Sequence, residues 1–446
     1  MGDTKFYELG KFIRKTRRER GLRLEDLADE HISPTTISNI ERGVPHVSNE
    51  KVLYLANKLQ IRLERIPELL LKEKDQVRIL HQKMKAVDTL LSASKLSKAE
   101  QILNDLPMEA DHLLSPQIHH LHAKFHLINQ NYQPASDLYQ KAIQLADEGT
   151  DLDNVKAACY LDWGYLHYTT NNMKEALETT DKGIQAFKHN GNNPHLWYSL
   201  HRNKALFLER SDRYMESMKI VSDLWDNLDK IEEIDTILTL YWLRAELSRQ
   251  LGNIDEAINY AYQGIELAQR NEKYESQFNL WTVLGVIHLD QEKWDQAEFF
   301  LQVALELSDQ LSLDNRSILI YTYSQLAIAY IQLGKKSESL TAAQKTIDWG
   351  ERLQETSYLV EALVIMGGIQ KVLNHLGASY GYYQKALELS RQHQWKRKEQ
   401  QIIYKLSLFG NDQEIDWETF HHHFTKVQSM TELSDDEIFD ELLDER

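Results

Sequence analysis

The chain has 446 residues, of which 42% are apolar, and it carries a formal charge of −17 at pH 7. This length exceeds what one hydrophobic core usually holds, and a single cysteine, Cys159, excludes both an intrachain disulfide and a cysteine-based zinc site. The sequence has neither an apolar run long enough for a transmembrane helix nor the apolar segment of a signal peptide, so we expect a cytosolic protein.

The charge is distributed unevenly along the chain. Residues 1–66 contain 13 Lys and Arg against 10 Asp and Glu, a balance of +3, which leaves −20 for residues 67–446. A basic head on an acidic body favours contact with a polyanion at the head alone.

The first 66 residues predict four short helices. Residues 6–20 place apolar side chains at helical spacing, and a second short apolar pattern covers residues 24–30. A third helix starts with a capping serine followed by proline, Ser33-Pro34, and ends at Gly43. A fourth helix follows it.

The outer face of the third helix carries short polar side chains. Two short helices joined by a tight turn have the dimensions needed to enter the major groove, where hydroxyl and amide groups reach base edges. Arginine can bind phosphate or guanine there. The predicted DNA-binding residues are Arg23, Ser33, Thr35, Thr36, Ser38, Asn39 and Arg42.

This head closely resembles the phage-repressor type of helix-turn-helix domain over about 60 residues. The matching residues are Leu9-Gly10, Ile13-Arg14, Gly21-Leu22, Leu27-Ala28, Thr36-Ile37-Ser38-Asn39-Ile40-Glu41-Arg42-Gly43 and Leu55-Ala56-Asn57-Lys58-Leu59. The family usually opens helix two with Ser-Gln, whose glutamine holds a phosphate, and this chain has Arg23-Leu24 there. Arg23 could serve the phosphate instead, so this contact is where the chain departs from the family pattern. The alternative is a helical bundle used only for protein contact.

A ladder of small residues follows the head, with rungs 40 to 42 residues apart. The rungs are Ala123, Gly164, Ala205, Ala245, Gly285, Ala327 and Gly367. Each rung is followed twelve residues later by another small residue and seven residues after that by a third position that is small in six of the seven copies. Small side chains let helix axes approach closely, so the ladder predicts one packed helix pair per copy.

The registers resemble the tetratricopeptide repeat (TPR), most clearly at Trp163-Gly164 with Ala176 and at residues 251–258. We therefore predict an all-α protein: a repressor-type helix-turn-helix domain followed by a right-handed TPR-like solenoid of about eight to nine repeats. One weaker copy lies around Ala99, and residues 398–428 predict a closing helix pair. The predicted domains are 1–66 (DNA binding), 67–110 (connecting helices and first weak repeat), 111–428 (repeats) and 429–446 (acidic tail or capping helix).

The first helix of each pair is predicted to line an inner groove. Residues on that side are Lys124, Tyr165, Arg202, Asn203, Trp242, Arg244, Glu246, Asn279, Tyr321 and Gln325. We predict peptide binding for all of them except Lys124 and Glu246. Asparagine and arginine can hold the backbone amides of an extended peptide, and aromatic rings can form pockets for its side chains. The alternative is a solvated inner face with each aromatic packed into its own helix pair.

A repressor-like head on a long-period helical repeat resembles the peptide-responsive regulators of Gram-positive bacteria, the Rap, Rgg, NprR, PlcR and PrgX superfamily. Length and repeat number are nearest to the NprR (neutral protease regulator) branch. The resemblance implies a quorum-sensing transcription regulator that binds a DNA operator and is controlled by a short signalling peptide in the groove. A homodimer or higher homo-oligomer is expected, because one head reads only a half-site.

Two other functions stay open on the sequence. One is a regulator that binds a response-regulator protein of a phosphorelay, and the other is a phage lysis or lysogeny switch that senses a peptide. Catalytic motifs and cofactor signatures are missing, so we expect neither enzyme activity nor a cofactor. His421-His422-His423 is discounted as a metal site because adjacent helical residues point in different directions. The acidic tail is interpreted as a cap of the solenoid or as a DNA mimic that holds the head.

Overall fold

The computed structural model describes residues 3–42, 47–61, 66–108, 112, 114–146, 151, 153–311, 318–353, 356–393, 395–407 and 409. Every regular element among them is a helix. The chain forms two compact units, Met1–Thr150 and Asp151–Arg446. The predicted all-α class is confirmed, whereas the domain boundaries proposed from the sequence stay predictions.

The head consists of four helices around a core of its own. These helices are α1 (Asp3–Glu19), α2 (Leu24–Leu27), α3 (Pro34–Glu41) and α4 (Asn49–Lys58). Ile13, Ile37 and Leu55 are completely buried in this core, which draws one or more residues from each helix. The apolar spacing of the sequence therefore places α3 with one face inward and its polar face outward.

Helix α2 is shorter than the sequence pattern predicts. It ends at Leu27 rather than at Glu30. The carboxylate of Asp29 accepts hydrogen bonds from the backbone N–H groups of His31 and Ile32, at 2.9 and 3.0 Å. This local bonding replaces the next helical turn and forms the turn that leads into α3.

The rest of the first unit consists of α5 (Ile66–Ser92), α6 (Leu96–Leu103), α7 (Ser115–Ile128) and α8 (Tyr132–Leu145). Helices α5, α6 and α7 share a second apolar core, in which Val87, Ala99 and Ile118 are completely buried. The weak repeat predicted around Ala99 is thus a helix pair, α5 with α6.

The described part of the second unit, up to residue 409, contains six helix pairs and one further helix. The first helices of the pairs, called A helices here, are α9 (Val155–Thr169), α11 (His195–Glu209), α13 (Ile234–Gln250), α15 (Tyr274–Asp290), α17 (Ile318–Gln332) and α19 (Thr356–Val372). The second, or B, helices are α10 (Met173–Ala186), α12 (Tyr214–Trp225), α14 (Ile254–Arg270), α16 (Trp294–Glu306), α18 (Lys336–Leu353) and α20 (Leu376–Gln392), and α21 (Lys396–Ser407) follows. Short 3-10 turns follow α12 and α16.

The small-residue ladder marks the close contacts between paired helices. A Cβ atom added to Gly285 would lie 2.5 Å from Cγ of Leu301, and one added to Gly164 would lie 2.7 Å from Oγ1 of Thr180. Three copies use serine at the next register, and its hydroxyl bonds across the pair, as from Ser339 to the Ala327 carbonyl at 2.8 Å. The helices of a pair therefore touch at the backbone, as the ladder predicts.

The turns inside the pairs also follow the sequence. Asn171, Asp212, Gly252, Glu292 and Gly334 all have positive φ and sit between an A helix and its B helix. Glycine and asparagine tolerate this backbone conformation best. The turn inside each of these five pairs therefore holds one residue in the left-handed region.

None of the described helices has both the length and the apolar character needed to cross a bilayer. Several sequence interpretations lie outside the described residues. These are Gly43 as the end of the third helix, the second helix of the closing pair, the histidines at 421–423 and the acidic tail.

Candidate DNA interface and peptide groove

Helix α3 begins with a complete amino-terminal cap. The hydroxyl oxygen of Ser33 accepts a hydrogen bond from the N–H of Thr36 at 3.2 Å and lies 2.9 Å from the Thr36 hydroxyl. Pro34 occupies the first helical position. Ser33 and Thr36 thus stabilise the start of the helix that the sequence predicts to read DNA.

The outer face of α3 carries a preformed polar pair. A guanidinium nitrogen of Arg42 donates to the amide oxygen of Asn39 at 2.6 Å. Arg42 and Thr35 are exposed, and Asn39 and Ser38 are half-buried. The Asn39 oxygen therefore orients Arg42, and the amide nitrogen of Asn39 is chemically a further donor. Arg23 is exposed at the start of α2, where its backbone N–H donates to the Asp26 carboxylate at 2.7 Å.

An ion pair fixes the carboxyl end of α3 to α1. Arg17 donates twice to Glu41, through Nε at 2.6 Å and through Nη2 at 3.0 Å, and its Nη1 donates to the Leu22 carbonyl at 2.7 Å. The hydrogen bond with Glu41 raises the pKa of Arg17. This two-point contact sets the orientation of α3 within the head. The sequence pattern alone indicates no such role for Glu41.

A second polar contact holds the turn before α3. Asp29 accepts hydrogen bonds from Lys58 and, at 2.7 Å, from the Tyr54 hydroxyl, both on α4. The bonds from Lys58 and Tyr54 lower the pKa of Asp29 well below its usual value. One carboxylate therefore links the turn before α3 to α4.

In the second unit, polar side chains of several A helices face a common space. Tyr321 on α17 keeps 41% of its surface accessible, yet burial among the surrounding helices raises the pKa of its hydroxyl. The charges that act on it next are those of Glu246, Arg249, Arg210 and Asp290, from α11, α13 and α15. We call the surface formed by these five side chains, those of Tyr321, Glu246, Arg249, Arg210 and Asp290, the groove face. It is open to solvent but surrounded by protein.

Arg249 is the fully paired cation of the groove face. It binds Glu246 through two guanidinium nitrogens, one of them Nε at 3.0 Å, and its Nη1 donates to Asp290 at 2.5 Å. Gln250 adds a bond to Glu246 at 3.0 Å. This network ties α13 to the end of α15.

Arg210 and Glu209 lie at the end of α11 on the same face. Nε of Arg210 lies 3.5 Å from the Glu209 carboxylate, whose buried Oε2 has no hydrogen bond. Burial raises the pKa of Glu209 from 4.5 to about 7, and Arg210 opposes that shift. The guanidinium carbon of Arg210 is 5.7 Å from the centre of the Trp242 ring.

Several predicted groove residues lie near this network. Trp242 lies against Arg210, and Tyr165 is exposed with its ring centre 5.9 Å from that of Tyr168. Arg202 donates to the Asn203 oxygen at 2.8 Å and to Thr236 on α13 at 3.2 Å. Asn203 is only 4% exposed. Its oxygen is thus engaged by Arg202, and a peptide would meet Arg202 first.

The assignment of Arg244 to the groove is wrong. Its guanidinium lies 4.5 Å from the ring centre of Trp225 and 4.6 Å from that of Tyr260. Those rings belong to the B helices α12 and α14. The residue directly before the ladder rung therefore points into the B-helix layer, where cation–π contacts hold it.

The remaining predicted residues are placed as follows. Asn279 is half-buried on α15. Gln325 and Tyr321 line a cavity of about 210 Å³ between α17, α19 and α21, with an apolar floor that includes Val364 and Ile402. Lys124 lies in the first unit and pairs with Asp88 at 2.6 Å.

Sequence reasoning missed Glu209, Arg210, Arg249 and Asp290. All four lie four or five residues after a ladder rung, at the end of an A helix. This spacing of four or five residues from a rung is visible in the sequence and could have indicated these side chains. It was not used because charged residues near helix ends are usually solvated.

Comparisons with known proteins agree with this architecture. The model of the helix-turn-helix family matches residues 13–66, and that of the tetratricopeptide repeat matches residues 235–310. A search of curated proteins found no match. The predicted combination of head and repeats is confirmed.

Three solved structures have a similar fold. The apo form of the quorum sensor NprR from B. thuringiensis is 14% identical, with a TM-score of 0.56 over 76% of this chain and 96% of its own. NprR in complex with its cognate peptide NprX is 16% identical, with a TM-score of 0.51 over 74% and 99%. A Rap protein complexed with Competence and Sporulation Factor is 12% identical, with a TM-score of 0.52 over 74% and 97%. The predicted resemblance to these regulators is confirmed at the level of the fold.

Proposed function

We propose that this protein is a cytosolic quorum-sensing transcription regulator without catalytic activity. Helix α3 reads duplex DNA, and a short peptide bound on the groove face controls that binding. The observation that carries the proposal is the presence, in one chain, of an exposed Asn39–Arg42 pair and of an open polar face that holds Arg210, Arg249 and Tyr321. The similarity in fold to NprR, solved in complex with its cognate peptide NprX, supports the second half.

The reading of DNA follows from the geometry of α3. An asparagine amide suits the paired donor and acceptor of adenine, and an arginine suits guanine. Asn39 and Arg42 are three residues apart, so both reach the same stretch of groove. Thr35 and Ser38 add hydroxyl groups nearby, and Arg23 lies where a backbone phosphate would approach.

The peptide site follows from the mixture of groups on the groove face. Amide and guanidinium groups, such as those of Asn279 and Arg202, can bind the backbone of an extended peptide of roughly five to ten residues. Tyr165, Trp242 and Tyr321 offer ring surfaces, and the cavity beside Gln325 has room for an apolar side chain. A peptide can control the protein only if it binds one arrangement of the repeats more tightly than another.

We further propose that the protein acts as a homodimer or a higher homo-oligomer. One head of this size reads a half-site, and two heads together read a palindrome with defined spacing. Light scattering with and without candidate peptides measures assembly and its response together. A monomer at every concentration, with or without peptide, would contradict this part.

DNA reading is tested by fluorescence anisotropy with duplex DNA from upstream of the protein's own gene. The double variant Asn39→Ala with Arg42→Ala should lower affinity by about 30-fold or more, because two base contacts are lost and each is worth about 1–3 kcal/mol. Arg78→Ala, on α5, removes an exposed arginine outside the head and serves as control. Equal affinity in both variants would reject α3 as the reader.

Peptide binding is tested by calorimetry. The probes are synthetic fragments of any small secreted precursor encoded beside the gene. We expect Asn279→Ala to weaken binding without changing the fold, because its half-buried amide faces no competing partner among the described residues. Unchanged affinity in this variant would remove Asn279 from the site. We do not use Asn203 as the first test, since its replacement also frees Arg202.

A further inference from the structure

Two arginines of the groove face have different surroundings. Arg249 has only 11% of its side chain exposed and binds two carboxylates, those of Glu246 and Asp290. Arg210 has 44% exposed, and the carboxylate beside it, that of Glu209, makes no hydrogen bond through its nearer oxygen. Arg249 is satisfied within the fold. The charge of Arg210 is incompletely neutralised.

Aromatic side chains surround Arg210. Burial opposes its charge, but Tyr168 on α9 and Glu209 more than offset this and raise the pKa of Arg210, with a further contribution from Tyr358 on α19. Trp242 on α13 contributes the ring at 5.7 Å. The Trp242 ring positions the guanidinium through cation–π contact without neutralising it. A hydrogen bond with the Tyr168 side chain also holds it, so side chains from α9 and α13 fix this cation in place.

The surroundings of Glu209 make it a weak competitor of other anions for the Arg210 guanidinium. The residue is 7% exposed, and its Oε2 is buried without a hydrogen bond. Burial raises its pKa to about 7, so a large part of the population carries a proton at neutral pH. A protonated carboxyl leaves the guanidinium charge available to another anion.

We propose that Arg210 is the anion subsite of the groove face and that the peptide ligand presents a carboxylate to it, from its C-terminus or from an Asp or Glu side chain. This inference rests on the proposed function. The planar guanidinium can bind a carboxylate through two parallel hydrogen bonds, which gives both affinity and orientation. The ligand would thereby take the position that Asp290 and Glu246 hold at Arg249.

The anion subsite predicts that the affinity for the peptide depends on pH. A ligand carboxylate on Arg210 would stand next to Glu209 and favour its protonated form, so binding takes up a proton. Affinity should then fall as the pH rises through about 7. The other groups that act on Glu209 are Asp212 from the turn and Glu246 and Arg249 from α13. Tyr214 on α12 also lies within their field.

The experiment uses the full-length protein and a random library of peptides of about seven residues, prepared once as free acids and once as C-terminal amides. We expect wild type to select peptides with a carboxylate, and Arg210→Met to bind the selected peptides about tenfold more weakly or worse. Selection from the free-acid pool alone identifies the C-terminus as the source. Enrichment of Asp or Glu in both pools identifies a side chain.

Arg213→Met is the matched control. Arg213 lies three residues away, pairs with Glu216 and is exposed on the turn, so its loss should leave selection unchanged. Arg210→Lys keeps a cation without the planar fork and should bind with intermediate affinity. Glu209→Gln should keep the carboxylate preference and lose the dependence on pH.

The possible failures are distinct. If wild type enriches no peptide from either pool, peptide binding itself is overturned, and this inference with it. If Arg210→Met, with unchanged tryptophan fluorescence, selects the same carboxylates as wild type with equal affinity, only the anion subsite is overturned. If the affinity of wild type for the peptide does not depend on pH, Glu209 does not compete with the ligand for Arg210.

Discussion

The head and the groove face both contain a buried glutamate near an arginine, but the two pairs differ. In the head, Arg17 and Glu41 face each other with two hydrogen bonds, and a third bond from Arg17 reaches a backbone carbonyl. On the groove face, Arg210 and Glu209 are neighbours without such a bond. The first pair is complete within the fold, and the second is not.

The difference separates a contact that stabilises the fold from one that the proposed function assigns to ligand binding. A buried pair with every hydrogen bond made fixes one geometry, and removing either partner leaves a desolvated charge. A buried carboxyl whose ionisation is opposed by its surroundings lowers stability, and such groups are concentrated at binding sites. The head thus needs α3 held in one orientation, whereas the groove face retains an unsatisfied group.

Packing differs between the two regions as well. The head has a small core that every one of its helices shares, so a local defect affects the whole head. In the second unit each helix pair contacts its neighbours in the array, and the same small-residue contact recurs from pair to pair. We therefore expect a destabilising substitution in the head to unfold the whole head. A destabilising substitution in the repeats should unfold only the helix pairs around it.

The largest expected effect is the loss of Glu41. Glu41→Ala leaves Arg17 desolvated and unpaired, which should destabilise the head by about 4 kcal/mol. Hydrogen exchange of segments from residues 12–41 in the full-length protein measures this directly. Tryptophan fluorescence should not change, because all nine tryptophans lie beyond residue 150. Arg20→Ala, at an exposed position after α1, is the control, and equal protection in both variants would contradict the comparison.

Much of the head could be predicted from the sequence. Ser33-Pro34 and the spacing of Ile37 and Ile40 define α3, because caps and helical periodicity are local properties. The contact between Arg17 and Glu41 could not, since it joins residues 24 apart whose proximity depends on how α1 and α3 pack. The early end of α2 was missed because the bonds of Asp29 look like an ordinary polar turn in sequence.

In the repeats, too, the sequence predicted the helices but not the contacts between side chains that are far apart in the chain. The ladder predicted each helix pair, because a period repeated seven times averages out local exceptions. It did not give the direction of each side chain, so Arg244 was placed on the wrong layer. Arg210 was missed because its importance depends on rings from α9, α13 and α19, which are far apart in the chain.

The second prediction concerns the stability of the repeats against pH. Glu209 has a pKa raised from 4.5 to about 7, so the folded state keeps a proton that the unfolded chain has already lost. The free energy of unfolding of the repeats should therefore decrease as the pH rises from about 4.5 to about 7. The total decrease over this interval should be about 3 kcal/mol. Glu209→Gln removes this loss, so the variant should be more stable than wild type at pH 8 and similar near pH 4.5.

Urea unfolding followed by tryptophan fluorescence tests this prediction, since the fluorescence reports only residues beyond 150. Glu256→Gln removes a negative charge from the exposed side of α14 and is the control. If both variants show the same difference from wild type at each pH, the destabilising role of Glu209 is wrong.

The third prediction compares one substitution at two glycines of the repeats. Gly285→Ala brings a Cβ atom to 2.5 Å from Leu301 Cγ and 3.3 Å from its backbone nitrogen, and should destabilise the second unit by about 2 kcal/mol. Gly381 lies in α20 with no atom within 4 Å of an added Cβ. Gly381→Ala should stabilise the helix by about 0.5–1 kcal/mol. Opposite signs in urea unfolding support the ladder as a contact, and equal effects contradict it.

The smallest expected effect is at the serine register of the ladder. Ser339→Ala removes the bond to the Ala327 carbonyl but opens little space, and other copies have alanine at this position, as at Ala257 and Ala297. We expect a loss of about 0.5–1 kcal/mol in urea unfolding, the usual net value of one hydrogen bond whose acceptor keeps its helical partner. Ser339→Val, which adds bulk at a fully buried site, should cost more. A larger loss for alanine than for valine would show that the hydroxyl, rather than the close approach of the helices, stabilises the pair.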